Sequence, residues 1–212
     1  MAEGYKTLSH FAEFETVEKK SRFIGYAASV SCADEAEAFV AKIKGEHPTA
    51  RHHVFAYTVG GVDGTPERKR MSDDGEPQGT GGMPCLDVLQ KKGISCAAVV
   101  VVRYFGGILL GAPGLVRAYG AAAAGAADAA GTVFLTKCKS VTVSCDYQMF
   151  GKLSKAAEGK SYTVKTPVFS DSVTFSVITP ASDADSFASL VTEMSNGKAS
   201  AVVPEEIEFL MI

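Results

Sequence analysis

The chain has no C-x-x-C pair, no Walker A loop and no G-x-S-x-G elbow among its 212 residues. Each absence closes a class of function. The five cysteines (Cys32, Cys85, Cys96, Cys138, Cys145) are odd in number and none has metal-type spacing to a histidine. Neither a disulfide framework nor a zinc site is therefore expected. Cys96, Cys138 and Cys145 lie in apolar runs, where cysteine serves as a small hydrophobe. The opening MAEGYKTLSHFAEFE has no basic segment leading into an apolar one, so it does not read as a signal peptide. No stretch offers the roughly 20 apolar residues of a membrane span. A cytoplasmic protein with reduced thiols and no membrane partner is expected. Excess charge is missing too. A formal charge of −3 excludes nucleic-acid binding by global positive charge and leaves only a local patch. Split near residue 133, the chain carries 14 basic and 15 acidic residues before the split and 7 and 9 after it, so neither half is a basic arm. No tandem repeat, low-complexity run or heptad is present.

What remains is an ordinary globular composition, 46% hydrophobic and 21% charged. The length suits two domains. Residues 11–18 alternate as a half-buried strand, and Arg22 to Val30 reads as its hairpin partner. Asp34 to Gly45 has helical spacing in Ala36, Phe39, Val40 and Ile43, with Asp34 as cap. His53 to Val59 is a third strand, and Gly60 to Arg70 a flexible loop. After the Ser72–Gly82 loop comes a helix of about ten residues, with Pro84 near its first turn and Leu86 and Leu89 on its apolar side. Cys96 to Val102 is an uninterrupted apolar strand, as found where both faces are covered. The Arg103–Gly111 loop leads into an alanine-rich helix ending near Gly131. Residues 132–136 are a linker or the start of a strand. From residue 138 the order is β (138–145), α (147–158), β (162–168), β (172–178), α (183–195), β (200–209), the ferredoxin-like βαββαβ order.

The chemistry-bearing stretch is Arg70–Tyr119. Asp73, Asp74 and Glu76 stand in a glycine-rich loop. They suit either pairing with Arg70, Arg103 and Arg117, which would pin two loops together, or a direct binding role. Mg²⁺, which favours carboxylates and waters, is the weaker option. Gly79, Gly81 and Gly82 precede one helix and Gly106, Gly107, Gly111 and Gly114 another, so bare backbone N–H groups near helix N-termini could receive a phosphate or carboxylate. The plain alternative is sharp turns and tight packing. Arg51, His53, Arg68, Lys69, Arg70, Arg103 and Tyr104 are candidates for a basic face with a stacking platform for single-stranded RNA; solvated loop charge is the bland reading of each. Cys85, near a helix N-terminus, is the one thiol whose pKa that position would lower. Lys152, Lys155 and Lys160 read as a solvated helix face. No catalytic residue, metal ligand or cofactor is assigned.

The segments SRFIGYAASV, HHVFAYTVG, RMSDDGEPQGTGGMPCLDVL and VVVVRYFGGILLGAPGLVRAYGAA resemble the IMPACT/YigZ family across essentially the whole chain. The motif SDDGEP-x-GT-x-G-x-P followed by VVRYFGG-x-x-LG-x-x-GL-x-RAY is long and unusual, hence specific. The resemblance implies an α+β protein of two domains. Residues 1–134 would form the IMPACT N-terminal domain, an α/β sandwich like the second domain of a small-subunit ribosomal protein. Residues 135–212 would form a small ferredoxin-like domain. Eukaryotic IMPACT proteins regulate translation through an extra partner-binding domain that has no counterpart here. That activity is not carried over. The same pair of folds lies side by side in two adjacent domains of the translocation elongation factor, and by that analogy of fold the expectation is a non-enzymatic cytosolic binding protein, associated with RNA or the ribosome and modulating translation. Its candidate contacts are Arg103, Tyr104, Arg117, Arg70, Arg68, His53, Gly81, Gly82, Gly106 and Gly107. A protein-docking module is also open. The alternative is an enzyme or sensor binding a small anionic or phosphorylated metabolite in the cleft between the two glycine loops.

Overall fold

The computed structural model describes residues 3–62 and 64–211. By contacts the chain divides into two compact units, Tyr5–Phe134 and residues 135–211 with residues 3–4.

The first unit is built on an antiparallel sheet of β2 (Ala12–Glu18), β3 (Ser21–Ser29), β6 (Ala97–Tyr104), β4 (His52–Val59) and β5 (Arg68–Ser72), in that spatial order. The central strand β6 is buried from Ala97 to Arg103, because helices cover both faces of the sheet. Helices α2 (Gly82–Lys91) and α3 (Ala112–Ala130) pack on one face over Phe23, Ala27, Val54, Val99 and Val101. Helix α1 (Ala33–Glu46) packs on the other over Tyr26, Phe55, Tyr57, Val100 and Val102. The small residues of α3 let it ride close to the sheet: a Cβ on Gly25 of β3 would lie 2.3 Å from the Ala122 carbonyl oxygen.

Several boundaries differ from the sequence expectations, each for a physical reason. Asp34 does not cap α1. The N-cap is Cys32, which makes no side-chain cap, and Glu35 instead reaches back to accept the Ser31 N–H at 2.7 Å. Residues 68–70 are not loop but the edge strand β5, whose pairing with β4 outweighs its poor β composition. Arg103 and Tyr104 end β6 rather than open a loop, because β3 and β4 run alongside them. Cys96 stands outside that strand with a left-handed φ of 51°. A strand without a sequence signal, β1 (Gly4–Leu8), buries Leu8 and donates the Thr7 hydroxyl to the Cys96 carbonyl.

The second unit is ferredoxin-like. Strand β7 (Thr132–Cys145) is continuous, so residues 132–136 are strand and not linker. It is followed by α4 (Tyr147–Gly159), the short strands β8 (Thr163–Val164) and β9 (Val168–Phe169), β10 (Val173–Pro180), α5 (Ala184–Met194), β11 (Ser200–Val202) and β12 (Glu208–Leu210). Antiparallel pairing places β11 and β12 beside β7, β7 beside β10, and β10 beside β8 and β9. Two expected strands are each split in two. Both helices bury Leu153, Ala157, Phe187 and Val191 against Val141, Val143, Phe175 and Val177. Asp146 caps α4 by accepting the Met149 N–H.

Candidate functional site

From the Arg70–Tyr119 stretch, Asp73, Asp74, Glu76, Arg103, Tyr104 and Tyr119 gather where β3 begins, β6 ends and β4 begins. The register places Arg22 opposite Tyr104 and Arg103 opposite His52. The carboxylate loop closes over this end of the sheet.

Its three carboxylates serve three separate sets of donors. Asp73 accepts the backbone N–H groups of Gly79, Gly81 and Gly82 at 2.8–2.9 Å. Burial alone would raise its carboxyl, but these three donors outweigh it and hold Asp73 below the ordinary aspartate value. Asp74, in left-handed conformation at φ 45°, accepts the His53 N–H at 2.7 Å and the Lys44 ammonium at 3.0 Å. Here too burial pushes upward and is overcome, first by the His53 N–H and then by Lys44, so Asp74 is also lowered. Glu76 turns inward. Its Oε1 accepts Arg103 Nη1 at 2.5 Å and the Tyr119 hydroxyl at 2.8 Å, and His52 Nε2 lies 3.8 Å away. Burial and the Glu76 carboxylate push the Tyr119 phenol well up. The Arg103 guanidinium lies between the rings of Phe23 and Phe105, 5.4 Å from each centroid.

A second cluster of polar groups lies on the α1 side. His47, at the C-terminal end of α1, bridges the hydroxyls of Tyr26 at 2.7 Å and Tyr104 at 2.9 Å. Burial pushes the Tyr26 phenol up to about 12. The Arg22 guanidinium covers the Tyr104 ring while pairing with Glu15. His53 Nε2 donates to the His47 carbonyl, and His52 Nδ1 to that of Asp74. His47 and Tyr119 were not among the sequence candidates; their roles depend on contacts 57 and 43 residues away in the chain.

This geometry corrects several expectations. Of the three arginines offered to the carboxylates, only Arg103 reaches one. Arg70 pairs with Glu37 at 2.6 Å, and Arg117 lies exposed on α3 beside Glu18 and Thr16. Arg103 and His53 are buried, so they do not stand on an exposed basic face. Gly81 and Gly82 are buried, and with Gly79 they give their N–H groups to Asp73. The anion expected at the α2 N-terminus is thus the chain's own carboxylate, which removes that half of the metabolite cleft. Gly106 is a packing glycine: its N–H donates to Ser21 Oγ, and a Cβ there would lie 2.0 Å from the Lys20 carbonyl carbon. Gly107 keeps a left-handed φ of 85° in open space. Cys85 is fully buried and burial raises its thiol pKa, the reverse of an activated nucleophile. Arg68 and Arg70 project to the α1 side of the sheet, as do their register partners Val59 and Tyr57. Arg117 is on the opposite layer, so the candidates do not share one face.

What the surface does offer is apolar. In the loop after β6, Leu109 is 81% exposed, Phe105 44% and Ile108 43%. The loop rests on the β2–β3 turn, Lys19–Lys20, through Gly106, and against α3 through Leu110, which a Cβ on Gly114 would approach to 3.0 Å. Lys19, Lys20 and Arg117 are exposed around it. No helix among the described residues is long and apolar enough to cross a membrane.

The fold and the site define a two-domain α+β protein with a buried, internally paired polar network at one end of its first sheet. The chain belongs to the IMPACT family. Residues 19–127 match the Impact N-terminal domain, and residues 143–198 match a domain of unknown function, DUF1949. It is 37% identical over 199 residues to the IMPACT family member YvyE of Bacillus subtilis, covering 94% of this chain and 90% of that protein. It is 38% identical over 191 residues to YigZ of Escherichia coli, covering 89% and 92%. A crystal structure of a hypothetical protein superimposes with a TM-score of 0.65 at 32% identity, covering 97% of this chain and all of that one.

Proposed function

We propose that this protein is a non-enzymatic, cytosolic binding protein that associates with the ribosome or its RNA and modulates translation. The role in translation is supported by family membership and by the pairing of the two folds, which also stand side by side in the translocation elongation factor; the activity of the eukaryotic IMPACT proteins, which works through an extra partner-binding domain, is not carried over. Binding rather than catalysis is supported by the site. Its carboxylates, Arg103 and Cys85 are buried or internally paired, whereas Phe105, Ile108 and Leu109 stand exposed beside Lys19, Lys20 and Arg117. That exposed apolar loop is the observation that carries the reading: large side chains held in solvent by a glycine-flanked loop mark a contact surface. Of the sequence candidates, Gly106 and Gly107 lie in this loop and Arg117 on the helix that follows it, while the side chains of Tyr104, Arg68 and Arg70 lie on the α1 side of the sheet.

The test is sedimentation with purified ribosomes across a salt series. The native protein should co-sediment at low salt and release as salt rises. Leu109→Ser, and Lys19→Glu with Lys20→Glu, should weaken binding without lowering the melting temperature. Failure of the native protein to co-sediment at low salt overturns the proposal.

A further inference from the structure

The composition of the surface around the exposed loop narrows the kind of partner, and this step rests on the ribosome-docking reading above. From Arg103 to Ala127 the chain contains two arginines and no carboxylate; the first acid is Asp128. The neighbouring turn adds Lys19 and Lys20, both exposed and both with positive φ. In a protein of net charge −3 this end is locally positive through Lys19, Lys20 and Arg117, with Glu18 and the Lys91-paired Asp87 as acids in the lining of its hollows. At its centre are Ile108 and Leu109, which are aliphatic. Phosphate and sugar offer nothing for an aliphatic side chain to gain, whereas a partner's apolar side chain would remove both from water.

Two concavities lie along α3, the helix that follows the loop. One, about 220 Å³, is lined by Thr16, Glu18, Gly114, Arg117, Ala118 and Ala121. The other, about 310 Å³, lies between α2 and α3 over Met83, Pro84, Val88, Val116 and Gly120, with the Asp87–Lys91 ion pair also in its lining. A flat bilayer has no side chains to fill such hollows, and Glu18 at the rim of the first would be repelled by anionic headgroups. Methionine and valine at a groove between helices suit an inserted apolar side chain.

We infer that the loop 105–111, the Lys19–Lys20 turn and the start of α3 form a docking site for an acidic segment of a partner protein that carries large apolar side chains. Its acids meet Lys19, Lys20 and Arg117; its apolar residues cover Leu109 and Ile108 and enter the hollows along α3.

The experiment uses the full chain and a fluorescent synthetic peptide with leucines at helical i, i+3, i+4, i+7 spacing and glutamate elsewhere. Anisotropy is read alongside three other probes: the same peptide with lysine for glutamate, oligouridylate, and phosphatidylglycerol vesicles. The acidic peptide should bind. Leu109→Ser and Arg117→Glu should each weaken it at least about tenfold, with unchanged melting temperatures, and the lysine peptide should not bind. No binding of the acidic peptide, binding unaffected by both substitutions, or Leu109-dependent binding of oligouridylate or vesicles instead overturns the inference. Ribosome sedimentation run in parallel separates the two ideas. Ribosome binding without peptide binding sinks the acidic-segment partner and leaves the ribosome reading standing; peptide binding without ribosome binding does the reverse.

Discussion

Arg103 Nη1 lies 2.5 Å from Glu76 Oε1, with the two side chains 6% and 4% exposed. The pair ties the end of strand β6 to the carboxylate loop, and Tyr119 adds a third anchor from α3. Three segments distant in sequence are thereby fixed at one point. Removing one partner strands the other as an unpaired buried charge, a loss of about 3–5 kcal/mol. Glu76→Ala should therefore lower stability by that amount in urea unfolding. Glu76→Gln should cost less, since its amide oxygen still accepts from Arg103 or Tyr119. Equal stability of Glu76→Ala and the native protein would show that the pair anchors nothing.

Acid should loosen the same loop through its other two carboxylates. Asp73 and Asp74 both have folded pKa values below the unfolded value of about 3.9. A group lowered on folding contributes stability that is complete above its unfolded pKa and is lost as pH falls through the folded one. Melting temperature should thus hold from neutral pH down to about 4 and fall below it. Asp73→Ala leaves three N–H groups without their acceptor and should destabilise by at least about 2 kcal/mol at pH 7, with a shallower loss in acid. An acid profile of Asp73→Ala parallel to the native one would remove Asp73 from the account.

Most of the fold was legible because its signals are local. The apolar run before Arg103 announced a strand buried on both faces, and the alanine-rich run announced α3. Strand β5 was not, because RKRMS has little strand character and is held by pairing with β4. Nor was β1, whose Leu8 and Thr7 depend on distant contacts. The site was read less well for one recurring reason. Sequence shows that Asp73 stands near glycines and that arginines stand near carboxylates, but not which donor turns to which acceptor. Asp73 filling the α2 N-terminus, and Arg70 choosing Glu37 over the loop, are settled by side-chain direction in three dimensions. The exposed loop could have been found: FGGILLG sets three large apolar residues between glycines, outside any helix or strand, and only Leu110 of the three reaches the core beside α3.

Cysteine reactivity gives an independent check on burial. Cys32 is exposed, while Cys85, Cys96, Cys138 and Cys145 are buried. Burial raises the thiols of Cys85, Cys138 and Cys145. Iodoacetamide at neutral pH should therefore label one cysteine in the native protein and all five after denaturation, as read by mass spectrometry. Rapid native labelling of Cys85 would contradict its place on the buried face of α2.

Gly106 sets the position of the docking loop. The absent side chain lets the backbone lie directly on the Lys19–Lys20 turn, where a Cβ would come 2.0 Å from the Lys20 carbonyl carbon and 2.5 Å from the Ser21 nitrogen. These are backbone atoms of a two-residue turn and cannot swing aside as a flexible side chain would. Gly106→Ala must push the loop off the turn and break the hydrogen bond from the Gly106 N–H to Ser21 Oγ. Overpacking of this kind costs about 1–3 kcal/mol. Gly107, with nothing near its Cβ position but φ at 85°, should lose only about 1 kcal/mol or less when changed to alanine, and asparagine should be tolerated better. If the loop's placement matters for docking, Gly106→Ala should reduce ribosome co-sedimentation even at temperatures well below its melting point, whereas Gly107→Asn should not. Retained binding by a folded Gly106→Ala variant would mean that the partner tolerates a displaced loop, and the contact would then have to rest on α3 and Arg117 instead.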